Sequence, residues 1–413
     1  MLLCFAAASV GLPIAVISFA KLMLFLGGVM VLVNSKSAAS TPSPSATNLK
    51  NSKSTLAVLT VLGLFTLSLS WTSASAYEAL SGLSKYGKLL VIPIILALTR
   101  TRHEALLALA AFATTQLFLL MSSTLQFAGV FLPWVISREA VTQYATFSSY
   151  LDQGIMNAVF AGICWHFRGL VPGRFGPQLA IVIAMVALFN VFFVFQGRSG
   201  HAVAIALLSL ALMWQLPGRY KMSIVVLPLL LLLVISTISP KVGQRIDLLK
   251  NEVSEFSIEK GANVIKGTSS GIRLHLWHRA LQSISQHPIQ GSGVGSWNAE
   301  FNRLEHLQNP KHRDIPPVGN PHQEYLLWGV QLGVPGIVLF LLLIACILVD
   351  SLKMTTSESR AVQSVLGALA VACLFNAALY DALIGDFFCI LTGLLLALGR
   401  TSLSASKSKP SAA

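Results

Sequence analysis

His322 lies in Asn320-Pro321-His322-Gln323-Glu324-Tyr325, where a long polar stretch gives way to an apolar run that begins at 323. An imidazole at the aqueous end of a membrane helix can take a proton from a sugar hydroxyl near neutral pH. The same position also suits an interfacial histidine that only caps its helix, so a functional reading needs partners. Arginines supply them. Arg198, in Gln196-Gly197-Arg198-Ser199-Gly200, sits between two apolar runs with almost no soluble loop to occupy. Its permanent charge and fork of donors suit the grip of a diphosphate. Arg273, in Gly271-Ile272-Arg273, would start an amphipathic helix and point to the same place. Arg138, Lys85 and Lys88 are weaker members of this basic group; for every one of these cations the alternative is snorkelling or a surface ion pair. Asp381 and Asp386, at the last outward turn, would be structural or would orient an arginine or an acceptor.

Other chemistries find less support. His275 and His278 share a helix face, and His306 and His312 lie in the same polar stretch, but no HExxH pattern or paired cysteines accompany them, so no metal is expected. All five cysteines fall in apolar runs, which implies no disulfide framework. Gly291-Ser292-Gly293-Val294-Gly295 lacks the Lys-Ser/Thr ending of a phosphate loop and reads as a turn. Glu300, Glu305, Asp314 and Glu324 would allow a paired-carboxylate hydrolase, though they read as a solvated face.

The elements that must hold these residues are membrane helices. With 54% hydrophobic and 11% charged residues, the chain lacks the polar surface a water-soluble protein of this length needs. A formal net charge of +13 raises the question of nucleic acid, but the basic residues are scattered between apolar runs and form no block or stripe. The expected fold is an all-α polytopic membrane protein with about twelve transmembrane helices and one large, mostly helical periplasmic loop. Nine spans would occupy 1–238, the loop 239–321, three spans 322–400 and a cytoplasmic tail 401–413. Residues 1–33 read as two short helices, and the polar segment 34–54 as a flexible loop. With both termini cytoplasmic, the short outward connections hold only Lys21, Lys85, Lys88, Arg138 and Arg198, which satisfies the positive-inside rule and puts the loop outside. Within the loop, Leu274, Trp277, Leu281 and Ile284 recur at helical spacing and define one apolar face.

His322-Gln323, nine residues, and then Gly333-Val334-Pro335-Gly336, in a protein of this topology, resemble the O-antigen ligase family. That family belongs with O-antigen polymerases and protein O-oligosaccharyltransferases in a wider superfamily. Gly197-Arg198-Ser199-Gly200 is similar to the family's arginine-bearing turn, and Arg273, Trp277, Pro288 and 291–295 resemble its loop signature. Motif by motif the likeness covers about 196–340. It implies a GT-C-like glycosyltransferase that moves a glycan from undecaprenyl diphosphate to a sugar hydroxyl of lipid A-core, in the Gram-negative inner membrane with its active site facing the periplasm. His322 would match the essential histidine, and Arg198 and Arg273 the essential basic residues; Arg138 carries over less directly. Lys85, Lys88, Gln323, Asp381 and Asp386 would support them. No metal, nucleotide or other cofactor is implied, because the diphosphate lipid is itself the activated donor. Membrane lipids and the two lipid-borne substrates are the expected partners, with no nucleic acid.

Two other functions stay open on the sequence. A polymerase would use the same donor with another lipid-linked glycan as acceptor. A transporter or flippase would also have many spans and basic cavities, but should carry more ionisable residues deep in its helices than Asp152 and His201.

Overall fold

The computed structural model describes residues 1–37, 52–135, 142–217, 226–254, 269–308 and 318–407, which form helices and turns with no strand among them. In chain order the helices are α1 (Leu2–Ala8), α2 (Ile14–Ser37), α3 (Lys53–Leu67), α4 (Ala76–Tyr86), α5 (Val91–Leu98), α6 (Arg102–Phe127), α7 (Tyr150–Phe167) and α8 (Gly176–Phe189). They continue as α9 (Arg198–Met213), α10 (Leu227–Ile238), α11 (Pro240–Ser254), α12 (Ser269–Gln286), α13 (Trp297–Gln308), α14 (Glu324–Ser351), α15 (Thr356–Phe375) and α16 (Ala382–Lys407). Long Leu, Val and Ala runs become helices because a helix satisfies its backbone polar groups internally, as a hydrocarbon solvent demands. Large apolar side chains such as Phe19, Leu59, Met185 and Leu341 point outward, which is the surface such a solvent requires.

By length and composition, eight helical stretches among the described residues could cross a membrane: 14–31, 53–70, 76–98, 102–127, 176–194, 324–351, 356–375 and 382–403. The pair α10 and α11, bent by 110°, would make a ninth. The remaining apolar runs became helices too, but α1 has 7 residues and α9 16, and both fall short of a span. The N-terminal region is two helices, parted at 9–13 as expected, but only α1 is short: α2 has 24 residues and runs through Gly27 and Gly28.

Sequence placed several charges wrongly along the chain. Lys21 is not in a connection but inside α2, where its ammonium pairs with Asp386 of α16 at 2.7 Å. Lys85 lies in α4 and Lys88 in the 3-10 turn that joins α4 to α5, because helix formation starts at Ala76, well before the apolar run. A capping box, Ser75 with Glu78, starts it there. The carboxylates read as a solvated face are buried: Glu300 and Glu305 on α13 and Glu324 on α14 are 3%, 5% and 0% exposed. Asp314 lies outside the described residues.

α14 is interrupted at Gly333, whose backbone is non-helical (φ 70°, ψ −163°). The carbonyls and amide that the break releases are taken up by 288–293: Ser292 N–H donates to Val330 O (2.8 Å), Gly293 N–H to Gln331 O (2.9 Å), and Val334 N–H to Pro288 O (2.8 Å). Gly291 and Gly293, with φ of 64° and 85°, allow this approach; a β-carbon on Gly293 would stand 2.3 Å from Thr72 Cα. Val294 N–H reaches across to the Ser68 hydroxyl (3.0 Å), so the glycine segment bridges α14 and the turn after α3.

Candidate functional site

Arg198 is the first residue of α9, and its height is set by glycines. Gly197 packs against Leu151, and a β-carbon on Gly200 would meet the backbone of Gly154 at 3.0 Å, so α9 and α7 run in close contact there. The Arg198 guanidinium donates to the hydroxyl of Ser270, on the first turn of α12. One turn further along α12 come Arg273 and then Trp277.

These residues line a cavity of about 540 Å³ between α9, α10, α11, α12 and α15. Its wall is apolar, with Leu232, Ile246 and Phe375 among the lining, and the two guanidiniums and Ser270 stand in it as a polar edge. Such a space fits an apolar chain that carries an anionic head. The amides of the α9 N-terminus add donors beside Arg198.

His322 approaches the same helix from the other side. The indole N–H of Trp277 donates to the carbonyl of Pro321 at 3.1 Å, which ties the residue before His322 to the Arg273 face of α12. Burial first, and then the nearby Arg273 cation, hold the His322 imidazole below its usual pKa, so it is neutral and able to accept a proton at pH 7. Gln323 accepts Leu326 N–H at 2.6 Å and is the cap of α14, which defines its contribution to the site as positional.

A second polar group closes this end. Lys85 stands over the Tyr380 ring at 4.0 Å, Lys88 donates to Asp381 O at 2.6 Å, and Asn320 donates to the Asp381 carboxylate at 3.2 Å. Burial pushes the Asp381 pKa up, against the opposing pull of Lys88, Lys85 and the Asn320 hydrogen bond. Glu324 accepts from the Trp328 indole (2.8 Å) and from the backbone N–H of Leu379 (2.9 Å) and Tyr380 (3.2 Å), which pins the last turn to the start of α14.

Asp381 is thus linked to His322 through Asn320 and to Lys88 directly, Arg198 is linked to the Arg273 helix through Ser270, and Arg273 and Lys85 act on His322 and Asp381 through their charge. Asp386 sits deeper, paired with Lys21 inside the bundle. Arg138 lies outside the described residues. Of the histidines weighed as metal ligands, His275 bonds Glu305 at 2.7 Å, beside Arg279 on the same oxygen at 2.5 Å, and His312 lies outside the described residues. Sequence reasoning missed Asn320, Ser270 and the pin at Glu324. Only Asn320 left a readable signal, as an Asn-Pro step that favours a turn.

The helical architecture and this site define a multispan membrane protein with an apolar cavity edged by two arginines and a histidine near one of them. Residues 183–341, which include Arg198, Arg273 and His322, match the family model described as O-antigen ligase, and the match supports membership of the chain in that family. The match supports, in general terms, a ligase- or polymerase-type function, that of a glycosyltransferase-like enzyme in O-antigen processing. No curated protein matches the chain.

Proposed function

We propose that the chain is an O-antigen ligase, transferring a glycan from undecaprenyl diphosphate to a sugar hydroxyl of lipid A-core at the periplasmic face of the Gram-negative inner membrane. The observation that carries this reading is the pair of guanidiniums, Arg198 and Arg273, at the edge of an apolar cavity, with the His322 imidazole close enough to Arg273 to feel its charge. The cavity would take the isoprenoid chain, and Arg198 and Arg273 the diphosphate. His322 would accept the proton of the acceptor hydroxyl as its oxygen bonds to the anomeric carbon. The bond from that carbon to the diphosphate oxygen breaks, and the arginines stabilise the charge left on the leaving lipid. Attack from the far face inverts the anomeric centre. The chemistry needs neither metal nor nucleotide. Lys85 and Lys88 support the last turn, and Arg138 would join the basic group. The topology we read is about twelve spans in a GT-C-like arrangement, with 239–321 outside and both termini cytoplasmic.

A strain deleted for this protein tests the reading. The expected result is unsubstituted lipid A-core with lipid-linked polymer accumulating; core that carries a single repeat would instead identify a polymerase. Purified protein that moves glycan between two lipids with no energy source excludes a transporter. His322→Ala should abolish transfer while the folded protein stays in the membrane.

A further inference from the structure

Two non-glycine residues among those described have a positive φ: Tyr144 at 58° and His322 at 52°. In that region the β-carbon crowds the backbone, so a histidine stays there only when its surroundings hold it. Asn320 provides the hold. Its carboxamide oxygen accepts His322 N–H at 2.8 Å, the bond of an Asx turn. Pro321, between them, keeps Asn320 extended and fixes its own φ. The nitrogen of the same carboxamide donates to Asp381 Oδ1 at 3.2 Å, and Asn320 is 8% exposed.

Both partners of that carboxamide are themselves anchored. Asp381 offers its carbonyl to Lys88, and the residues before it are pinned by Glu324. Pro321 is tied to Trp277 on the helix of Arg273. Asn320 therefore links the backbone of His322 to the turn before α16, while Pro321 is tied to α12. Asparagine alone suits both ends with this reach: aspartate supplies the oxygen but no N–H and would face the Asp381 carboxylate, while glutamine is a methylene too long.

We propose that Asn320 is a positioning residue for the transfer reaction, fixing the left-handed backbone of His322 so that its imidazole faces the Arg273 side of the mouth. This rests on His322 as the base. Asn320 touches the His322 backbone, not the reacting atoms, so its effect should appear in turnover and not in donor binding.

The test uses the full-length protein in detergent or liposomes with lipid-linked donor and lipid A-core acceptor, comparing wild type, Asn320→Ala, Asn320→Asp and His322→Ala. Asn320→Ala should lower kcat about tenfold to a hundredfold, as expected for a base displaced by up to an ångström. KM for the donor should stay within about threefold, because donor contacts are untouched. The acid limb of its pH profile should move, because the imidazole changes its distance from Arg273. Asn320→Asp keeps the oxygen that bonds His322 N–H, which protects folding, and should lose turnover through its missing donor. Wild-type kcat and pH profile in either variant overturns the proposal. So does Asn320→Ala with a lowered unfolding midpoint and normal turnover of its folded fraction, which would make Asn320 a fold anchor only. Activity in His322→Ala would remove the base reading itself; silence there with an active Asn320→Ala removes only this inference.

Discussion

The Trp277 indole nitrogen stands 3.1 Å from the carbonyl oxygen of Pro321, so a residue on the Arg273 helix holds the segment that carries His322. Trp277→Phe keeps an aromatic wall for the cavity and removes only this donor. One such bond contributes about 0.5–1.5 kcal/mol. If His322 is the base, turnover should fall roughly threefold to tenfold with donor KM unchanged. Steady-state kinetics with defined donor and acceptor would decide it, and a change confined to KM would count against the link.

Arg273 and burial together depress the His322 pKa. The cation disfavours the imidazolium, so its removal raises the pKa and leaves less free base at a given pH. Arg273→Gln should therefore move the acid limb of the pH profile to higher pH, in addition to weakening transfer. Arg273→Lys, which keeps the charge, should leave the limb near its original place. An unmoved limb in Arg273→Gln would separate the two residues functionally.

Gly293 has no room for a side chain. A β-carbon there would meet Thr72 Cα at 2.3 Å in a backbone with φ of 85°. Gly293→Ala must push the segment 288–293 away from the open carbonyls of α14. Overpacking of this kind costs about 1–3 kcal/mol, and stranding a buried carbonyl adds about as much again. Membrane yield and thermal unfolding in detergent should both fall, and activity should fall with them.

Glu305 joins α13 to α12 through His275 and Arg279. Burial pushes its pKa up, but hydrogen bonds from His275 and Arg279 outweigh that and leave it below the usual value. A depressed carboxylate stabilises the fold above its unfolded pKa of about 4.3, and this contribution disappears as pH falls through the lower folded value. Glu305→Gln should lose about 3 kcal/mol near neutral pH by leaving its cationic partner uncompensated. The gap to wild type should close below about pH 4, where the carboxylate itself takes up a proton. Unfolding measured against pH gives the answer.

The helical class was readable because long apolar runs leave few physical options, and isolated cations between those runs drew attention to Arg198 and Arg273. What stayed hidden depends on contacts between distant parts of the chain. Lys21 looked like a surface charge because nothing near it in sequence reveals Asp386 as its partner. The apolar face drawn through Leu274, Trp277, Leu281 and Ile284 proved divided. Leu274 and Trp277 line the cavity, Ile284 is buried, and Leu281 is 56% exposed. Periodicity finds the apolar residues of a helix but not which neighbour each one meets. Residues 323–349 read as one uninterrupted run, although Gly333-Val334-Pro335-Gly336 breaks α14 and the glycines that fill the gap lie some forty residues earlier. The start of α4 was legible in Ser75 and Glu78, but the apolar run beyond them drew the boundary too late.

The interruption of α14 has a mechanical corollary. Above Gly333, the nine residues that include its first turns are stitched to 288–293, and so to the same body that bears Arg273. Below it, residues 335–351 are moored to other helices, with Phe340, Leu343 and Ile347 buried and the Asp350 carboxylate accepting from Ser52 and Ser54. The two halves of α14 thus answer to different neighbours, and the imidazole shares its mooring with the helix of Arg273.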